Sequence, residues 1–278
     1  MKIGFIGLGN MATAIIGGLL REDTTLSSED GNVTVITAAN IIGSAKTEAT
    51  RQKRAEQFGI AVTASNREVA EAADVLVLAV KPQFFPEVIA EIRDAVSENT
   101  LVISIAAGLT LERIAGLFDR NVTAMRLIRC MPNTPALVNA GCTAVVPGPG
   151  ATEADEALCL RLMESFGRAI VIPERLMDAA SATAGSSPAF VFMLIEALAD
   201  GAVAAGMPRA QAYEFAAAAV AGSAQLVLET GRHPGDLKDM VCSPAGTTIE
   251  GVRALEEGAF RASVMNAISA CVEKAKAL

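Results

Sequence analysis

The sequence predicts an α/β fold: an amino-terminal, Rossmann-like doubly wound sheet followed by an all-helical carboxy-terminal domain for dimerisation. Three observations predict it. Short, fully apolar runs alternate with helical patterns as far as residue 173, a glycine turn follows the first run, and strand signals stop after Pro173. Strands without a polar face are buried on both sides, as parallel strands covered by helices are. The expected boundaries are residues 1–173 for a dinucleotide-binding domain and 174–278 for a helical substrate-binding and dimerisation domain.

Taken in order, Ile3–Ile6 is the first run and residues 10–20 read as a helix. Residues 33–36 form a second run, opened by the turn pair Gly31-Asn32. Glu48–Phe58 is a helix that Gly59 closes. Residues 75–80 and 101–105 are strands ended by Lys81-Pro82 and Gly108, with weaker strand candidates at 122–127 and 143–146. Residues 152–166 form a helix stopped by Gly167, and 169–172 are the last strand. In the second half, Ser187 reads as an N-cap with Pro188 at the first helical position. That helix is expected to end near Gly206 and Pro208. Further helices are expected at 209–229, closed by Gly231 and Pro234, at 247–257, and at 260–277. They carry Ala and Leu on several faces, more than a surface helix needs, so a homodimer at least is expected.

Composition narrows the function. The chain has 278 residues, 51% hydrophobic and 19% charged, enough to build sizeable cores and too apolar for disorder. With 10 Phe, 1 Tyr and no Trp, those cores must be aliphatic. A net charge of −8 argues against nucleic acid or an anionic membrane as partner, though not against a small anion held at a local positive spot. The five cysteines show no paired spacing and His233 is the single histidine, so neither a metal site nor a Cys-His nucleophile is expected. Thiols buried in a reducing cytoplasm are the expectation. The first strand leaves no room for a signal peptide, and no run reaches about 18 uncharged apolar residues. A soluble cytoplasmic protein without a membrane span is expected.

The first motif is Gly7-x-Gly9-x-x-Ala12, between the first strand and the first helix. Gly7 permits the tight turn, Gly9 lets backbone approach a pyrophosphate, and the N–H groups of the helix start hold phosphate charge. Ile6, Gly7, Leu8, Gly9, Asn10 and Met11 are therefore candidate cofactor contacts. The segment after the 33–36 run, Thr37 to Asn40, carries no carboxylate for ribose hydroxyls; Glu29 and Asp30 precede that run. Lys46, Arg51, Lys53 and Arg54 follow, so NADP is favoured over NAD. Strand ends at Ala79, Val80, Lys81 and Pro82 and at Ile105, Ala106 and Ala107 complete the expected cofactor line. Asn66 is either a cofactor contact or, better on spacing alone, an N-cap.

Residues 243–250, Ser-Pro-Ala-Gly-Thr-Thr-Ile-Glu, run from a loop into a helix. Thr247 with Glu250 matches a capping box, and the same N–H groups can bind a substrate carboxylate. Thr248 then stands beside them as a hydroxyl donor. Gly185 to Phe190 is a second such helix start. The rigid loop Cys130-Met131-Pro132-Asn133-Thr134-Pro135 is either a nicotinamide wall, through Met131 and Asn133, or a plain tight connection.

Together these motifs resemble the pyrroline-5-carboxylate reductase family. The likeness spans nearly the whole chain. It rests on the glycine loop, Val-Lys-Pro at 80–82, Arg-Cys-Met-Pro-Asn-Thr-Pro at 129–135, Gly-Ser-Ser-Pro-Ala at 185–189, His-Pro-Gly-Asp-Leu-Lys-Asp at 233–239 and Ser-Pro-Ala-Gly-Thr-Thr at 243–248. The resemblance implies NADPH, or NADH, as hydride donor and 1-pyrroline-5-carboxylate as substrate, reduced to L-proline. It implies an active site at the interface of a homodimer, with larger rings of dimers frequent. By resemblance, Thr248 hydrogen-bonds the substrate ring nitrogen, Gly246-Thr247-Thr248 holds its carboxylate, Glu174 lies near the substrate, and the strand-end residues named above, Asn66 included, contact the cofactor. The chain departs from the pattern at Ser187 (usually Gly), Phe190 (often Tyr) and Met240 (Asn in some members), and in an apparent insertion at 41–47. A cyclic imine takes its proton from solvent or through a hydroxyl, which suits a chain poor in acid–base residues. Rival readings are a β-hydroxyacid or arogenate-type dehydrogenase, with Lys81 or Lys238 as proton carrier, and a non-catalytic NADP-sensing dimer.

Overall fold

The computed structural model describes residues 1–21, 24–27 and 33–276. The Gly31-Asn32 turn, Glu29, Asp30 and the final residue of the helix expected at 260–277 lie outside them. Two compact units are present, Met1–Gly185 together with residues 275–276, and Ser186–Lys274. The division falls twelve residues beyond the expected boundary, because the residues after Pro173 still pack on the sheet. Met177 and Ala180, for example, join the core on one sheet face.

In the first unit, β1 (Ile3–Ile6) leads through the glycine bend into α1 (Asn10–Leu19). β2 (Thr25–Ser27) and β3 (Val33–Val35) pair antiparallel as a separate ribbon. The run expected to be the second sheet strand is thus half of that ribbon. The second strand of the main sheet is β4 (Ile41–Ser44), parallel to β1 with Ile3 opposite Ile41. What reads in sequence as an insertion is therefore a core strand. Four residues with a glycine and a serine give little strand signal, and packing supplies the rest: a side chain on Gly43 would meet Leu8 at 2.6 Å.

α2 (Glu48–Phe58), β5 (Ala61–Thr63), α3 (Asn66–Ala72), β6 (Val75–Leu78), α4 (Phe85–Ile92), β7 (Leu101–Ser104) and α5 (Leu111–Leu117) continue the alternation. β8 (Leu127–Met131) replaces the strand expected at 122–127, where Val122–Ala124 is a 3-10 turn. β9 (Gly141–Pro147), α6 (Glu153–Glu164) and β10 (Gly167–Val171) complete the unit. The order across the sheet is β5-β4-β1-β6-β7-β8-β9-β10, parallel except for the antiparallel β8–β9 pair. Its first six strands follow the doubly wound dinucleotide order, which places the topological switch point between β1 and β6. Apolar cores cover both faces, one around Phe5, Ile15, Ile16 and Phe166, the other around Leu76, Phe85, Ile89 and Leu127.

A buried ion pair fixes the edge of this unit. Asp155 is fully buried and accepts from Arg126 Nε through both oxygens, at 3.2 and 3.0 Å. Its Oδ2 also accepts from the Thr152 N–H at 2.9 Å, closing a capping box at the start of α6. Burial alone would raise this carboxyl, but the Arg126 and Thr152 hydrogen bonds outweigh it and hold it below the ordinary aspartate value.

Residues Glu174–Ala204 form one helical run of 31 residues with mean hydropathy 1.5. It comprises a 3-10 turn, α7 (Met177–Ala180), a π-helical turn at Ser181–Ser186 and α8 (Ser187–Ala204). The helix expected to begin at Ser187 starts earlier, and Pro188 falls at its second residue with Ser186 as N-cap, making no side-chain cap. By length and composition alone this run could cross a membrane, but its Glu174, Arg175, Asp178, Glu196 and Asp200, and the packing of Met177 and Ala180 on the sheet, leave no clear span.

In the second unit, α8 packs on α9 (Arg209–Thr230) through Ala199, Ala212 and Ala216. α10 (Pro234–Val241) was not anticipated; His233 caps it, its Nδ1 accepting from the Gly235 N–H at 3.0 Å. α11 (Thr247–Glu257) and α12 (Phe260–Lys276) follow. This unit leaves Phe192 (59% exposed), Met193 (67%), Phe215 (66%) and Met265 (63%) uncovered within the single chain.

Candidate active site

In the first unit, four strand ends lie in one row at the carboxyl edge of the sheet. Gly7 N–H donates to Ser44 O at 3.0 Å, Ala79 N–H to Ile6 O at 2.9 Å, and Ile105 N–H to Leu78 O at 3.2 Å. The Gly7 loop, Ala79–Val80, Ile105–Ala107 and Ser44–Lys46 are thereby brought together. Gly7 has φ +95°, and a Cβ there would meet Ala79 O and Val80 Cγ1, both at 2.9 Å, so the turn requires glycine twice over. Gly9 differs: its φ is −74°, and a Cβ built on it meets nothing within 4 Å. It is the N-cap of α1 and offers no side chain to that helix, whose first turn has no acidic residue. The first-turn N–H groups of Asn10 and Met11 are thus left without a side-chain cap, beside the open space at Gly9.

The sequence reading misplaces the second-strand contacts. Thr37 and Asn40 form a capping box on the 3-10 turn Ala38–Asn40, and Asn40 Nδ2 donates to Met1 O at 3.0 Å. They lie at the amino-terminal edge of the sheet, the end away from the glycine bend, because Ile41 pairs with Ile3 and the chain reaches the cofactor edge only at Ser44. The residues found in their place are Ala45, Lys46 and Arg51. Arg51 Nη1 donates to Ala45 O at 2.7 Å and Lys46 O at 3.2 Å, and Arg54 Nε donates to Leu8 O at 3.3 Å. Ser44, Ala45 and Lys46 carry no carboxylate, and the next one along the chain is Glu48 in the first turn of α2. Thr47, the cap of α2, was the available signal: a helix capped at 47 needs a strand ending just before it.

Asn66 is the first helical residue of α3, and Ser65 is the cap. Ser44 Oγ and Asn66 Oδ1 are 2.7 Å apart in a hydrogen bond across the strand end. Lys81 is exposed and opens a 3-10 turn with Pro82. In the loop after β8, Asn133 is buried and its amide is engaged at both ends, accepting from Cys142 N–H at 2.8 Å and donating to Ala184 O at 2.9 Å in the π turn. It shapes the loop, and Met131 remains the half-exposed apolar group there. Glu174 accepts from Arg129 Nη1 at 3.0 Å and from Leu111 N–H at 2.9 Å.

In the second unit the expected capping box is absent. Gly246 is the N-cap of α11, no side chain caps the helix, and Glu250 pairs with Arg253 at 2.7 Å instead. Ala245 has φ +55° in the tight turn closed by Gly246 N–H to Ser243 O at 3.0 Å. The backbone N–H groups of Thr247 and Thr248 are consequently uncapped and exposed beside the Thr248 hydroxyl, a donor set suited to a carboxylate.

The strand order, the glycine bend and the lack of a carboxylate at Ser44–Lys46 define the class: a Rossmann-type dinucleotide-binding protein carrying a helical unit. Residues 2–108 match the family model described as NADP oxidoreductase coenzyme F420-dependent, and residues 174–278 match that for pyrroline-5-carboxylate reductase dimerisation. The pyrroline-5-carboxylate reductase of Escherichia coli is 50% identical over 277 residues, covering 100% of this chain and 98% of that protein. That of Arabidopsis thaliana is 39% identical over 277 residues, covering 100% and 95%. A pyrroline-5-carboxylate reductase structure from Coxiella burnetii superposes with TM-score 0.89 at 33% identity, covering 99% and 97%. A Plasmodium falciparum pyrroline carboxylate reductase with NADP bound gives 0.81 at 29%, covering 100% and 97%. The chain belongs to the pyrroline-5-carboxylate reductase family.

Proposed function

We infer that the chain reduces the C=N bond of 1-pyrroline-5-carboxylate to L-proline with NAD(P)H, the last step of proline biosynthesis. The observation that carries this is the end-to-end relationship to reductases of that name, with the glycine bend and the uncapped Gly246–Thr248 helix start both kept.

When bound, the reduced nicotinamide supplies the hydride. The chain's own residues bind and orient. Gly7 makes the turn, Gly9, Asn10 and Met11 hold the pyrophosphate on backbone N–H groups, and Ala79 to Pro82, Ile105 to Ala107 and Met131 line the strand-end row. Lys46 and Arg51 sit where a 2′-phosphate would lie, which favours NADPH. Gly246, Thr247 and Thr248 hold the substrate carboxylate, and the Thr248 hydroxyl donates to the ring nitrogen, stabilising the amine as it forms. The uncovered Phe192, Met193 and Phe215 are covered by a second copy of the chain, in keeping with the dimerisation family model for this region; the active site is shared within that dimer, and rings of dimers are a further expectation. The same partner takes up the exposed apolar side chains of α8 in place of a membrane. Five free cysteines fit a reducing cytoplasm.

The test is incubation of purified protein with NADPH and pyrroline-5-carboxylate, following absorbance of the reduced cofactor, with NADH in parallel. Cofactor oxidation dependent on the imine and yielding proline is expected; oxidation supported by hydroxyacids instead would favour a dehydrogenase.

A further inference from the structure

Arg129 projects from β8 into the sheet face that α5 covers. Its side chain is 7% exposed, that of Glu174 32%, and the two are joined at 3.0 Å. The same oxygen, Glu174 Oε1, accepts from the Leu111 N–H at 2.9 Å. Three segments therefore meet at one atom. The first is β8, two residues before Met131. The second is the start of α5, reached directly from Ile105–Ala107 and Gly108. The third is the strap after β10 that begins the helical run. Arg129 lies opposite Ser104, the last residue of β7, so this knot sits at the cofactor edge of the sheet. Arg129 Nε is buried without a partner. Glu174 is thus the carboxylate compensating a guanidinium that water scarcely reaches, and removing it leaves a buried charge poorly matched.

We propose that Arg129 and Glu174 are a positioning pair for the nicotinamide end of the cofactor site, rather than Glu174 being a substrate contact. Two loops flank that end, 105–110 after β7 and 131–138 after β8. Asn133 ties the second loop to Cys142 and Ala184, but neither of those bonds sets its distance from the first. The shared carboxylate oxygen fixes it: β8 is held through its arginine and α5 through its first N–H. Loosening the knot lets the loops drift apart, and a misplacement well under a bond length is enough to slow a hydride transfer that depends on alignment. The proposal rests on the NAD(P)H reading given above.

The test compares Glu174→Ala, Glu174→Gln and Arg129→Lys with the full-length wild type. Readouts are NADPH Kd from the cofactor's own fluorescence, kcat and both KM values, melting temperature, and amide hydrogen exchange. Glu174→Ala is expected to weaken NADPH about ten-fold and lower kcat about ten- to hundred-fold, with the KM for pyrroline-5-carboxylate changed less than about three-fold. Exchange should rise together at 105–111 and 131–138. Glu174→Gln should recover part of each loss, because its amide oxygen still accepts both bonds. A merely structural role would lower the melting temperature and leave Kd and kcat alone. The proposal is overturned if folded Glu174→Ala keeps Kd and kcat within about two-fold of wild type, or if only the substrate KM rises. Should Glu174→Ala not fold, the same criteria apply to Glu174→Gln and Arg129→Lys. A wild type that binds NADPH without reducing the imine refutes the activity, while Kd and exchange still judge the pair; unchanged Kd, kcat and exchange in an active enzyme refute the pair alone.

Discussion

Two glycines two residues apart should respond to the same substitution in opposite ways. Gly9 has ordinary extended backbone, φ −74° and ψ −171°, and its absent side chain borders open space. Gly9→Ala therefore costs little in folding: alanine is a poorer N-cap than glycine, a difference of at most about 1 kcal/mol, or roughly 2–4 °C in melting temperature. The added methyl, however, projects where the pyrophosphate must approach the N–H groups of α1. A hydrogen bond to a charged group contributes about 1.5–3 kcal/mol, so losing one weakens NADPH roughly ten- to hundred-fold. Gly7→Ala meets the reverse situation. Its φ of +95° costs an L-residue about 1–2 kcal/mol. Its Cβ would also press on Ala79 O and Val80 Cγ1 at 2.9 Å, adding strain between β1 and β6. A total near 3 kcal/mol is expected, visible as a clear drop in melting temperature. Thermal melts and NADPH titrations on both variants decide. If Gly9→Ala binds NADPH as wild type does, or destabilises as much as Gly7→Ala, the pyrophosphate does not lie against Gly9 and the cofactor placement is wrong.

Thr248→Ala should lower turnover roughly ten- to a thousand-fold, with Thr248→Ser restoring most of it, because only the hydroxyl is required; an undiminished kcat in the alanine variant removes the donor role. Arg51→Glu should raise the NADPH KM at least about ten-fold while changing the NADH KM little, since repulsion acts only on the 2′-phosphate; equal changes for both cofactors would place that phosphate elsewhere. Asp155→Asn should destabilise the first unit by about 3 kcal/mol by leaving Arg126 without its carboxylate. Because the Asp155 carboxyl is held below its ordinary value in the folded state, its stabilisation is fully present above the unfolded value near 3.9 and is lost as pH falls through the lowered folded value. Wild type should therefore lose stability over that acid window and the Asn variant lose less, which denaturant titrations at several pH values would show; parallel curves would contradict it. Phe192→Asp together with Phe215→Asp should convert the assembly to monomer in sedimentation, whereas an unaltered oligomer would mean that these side chains face something else.

Much of this molecule was written in its sequence. The glycine bend, the existence of a helix start at Thr247, the helix Glu48–Phe58 with Gly59 behind it, and the change from strands to helices near residue 173 rest on local chemistry: backbone angles only glycine tolerates, caps, and unbroken apolar runs. Tertiary structure alone decided the rest. Ile41–Ser44 is a core strand because β1 lies beside it and Leu8 needs the space over Gly43, and neither neighbour is visible in four residues. That one assignment puts Lys46 and Arg51, rather than Thr37 and Asn40, at the glycine-bend edge of the sheet. Likewise, nothing local in Asn133 or Glu174 says that one amide and one carboxylate are committed to distant backbone and to Arg129. Hydrogen bonds spanning 45 to 63 residues become favourable only after the sheet has brought their ends together.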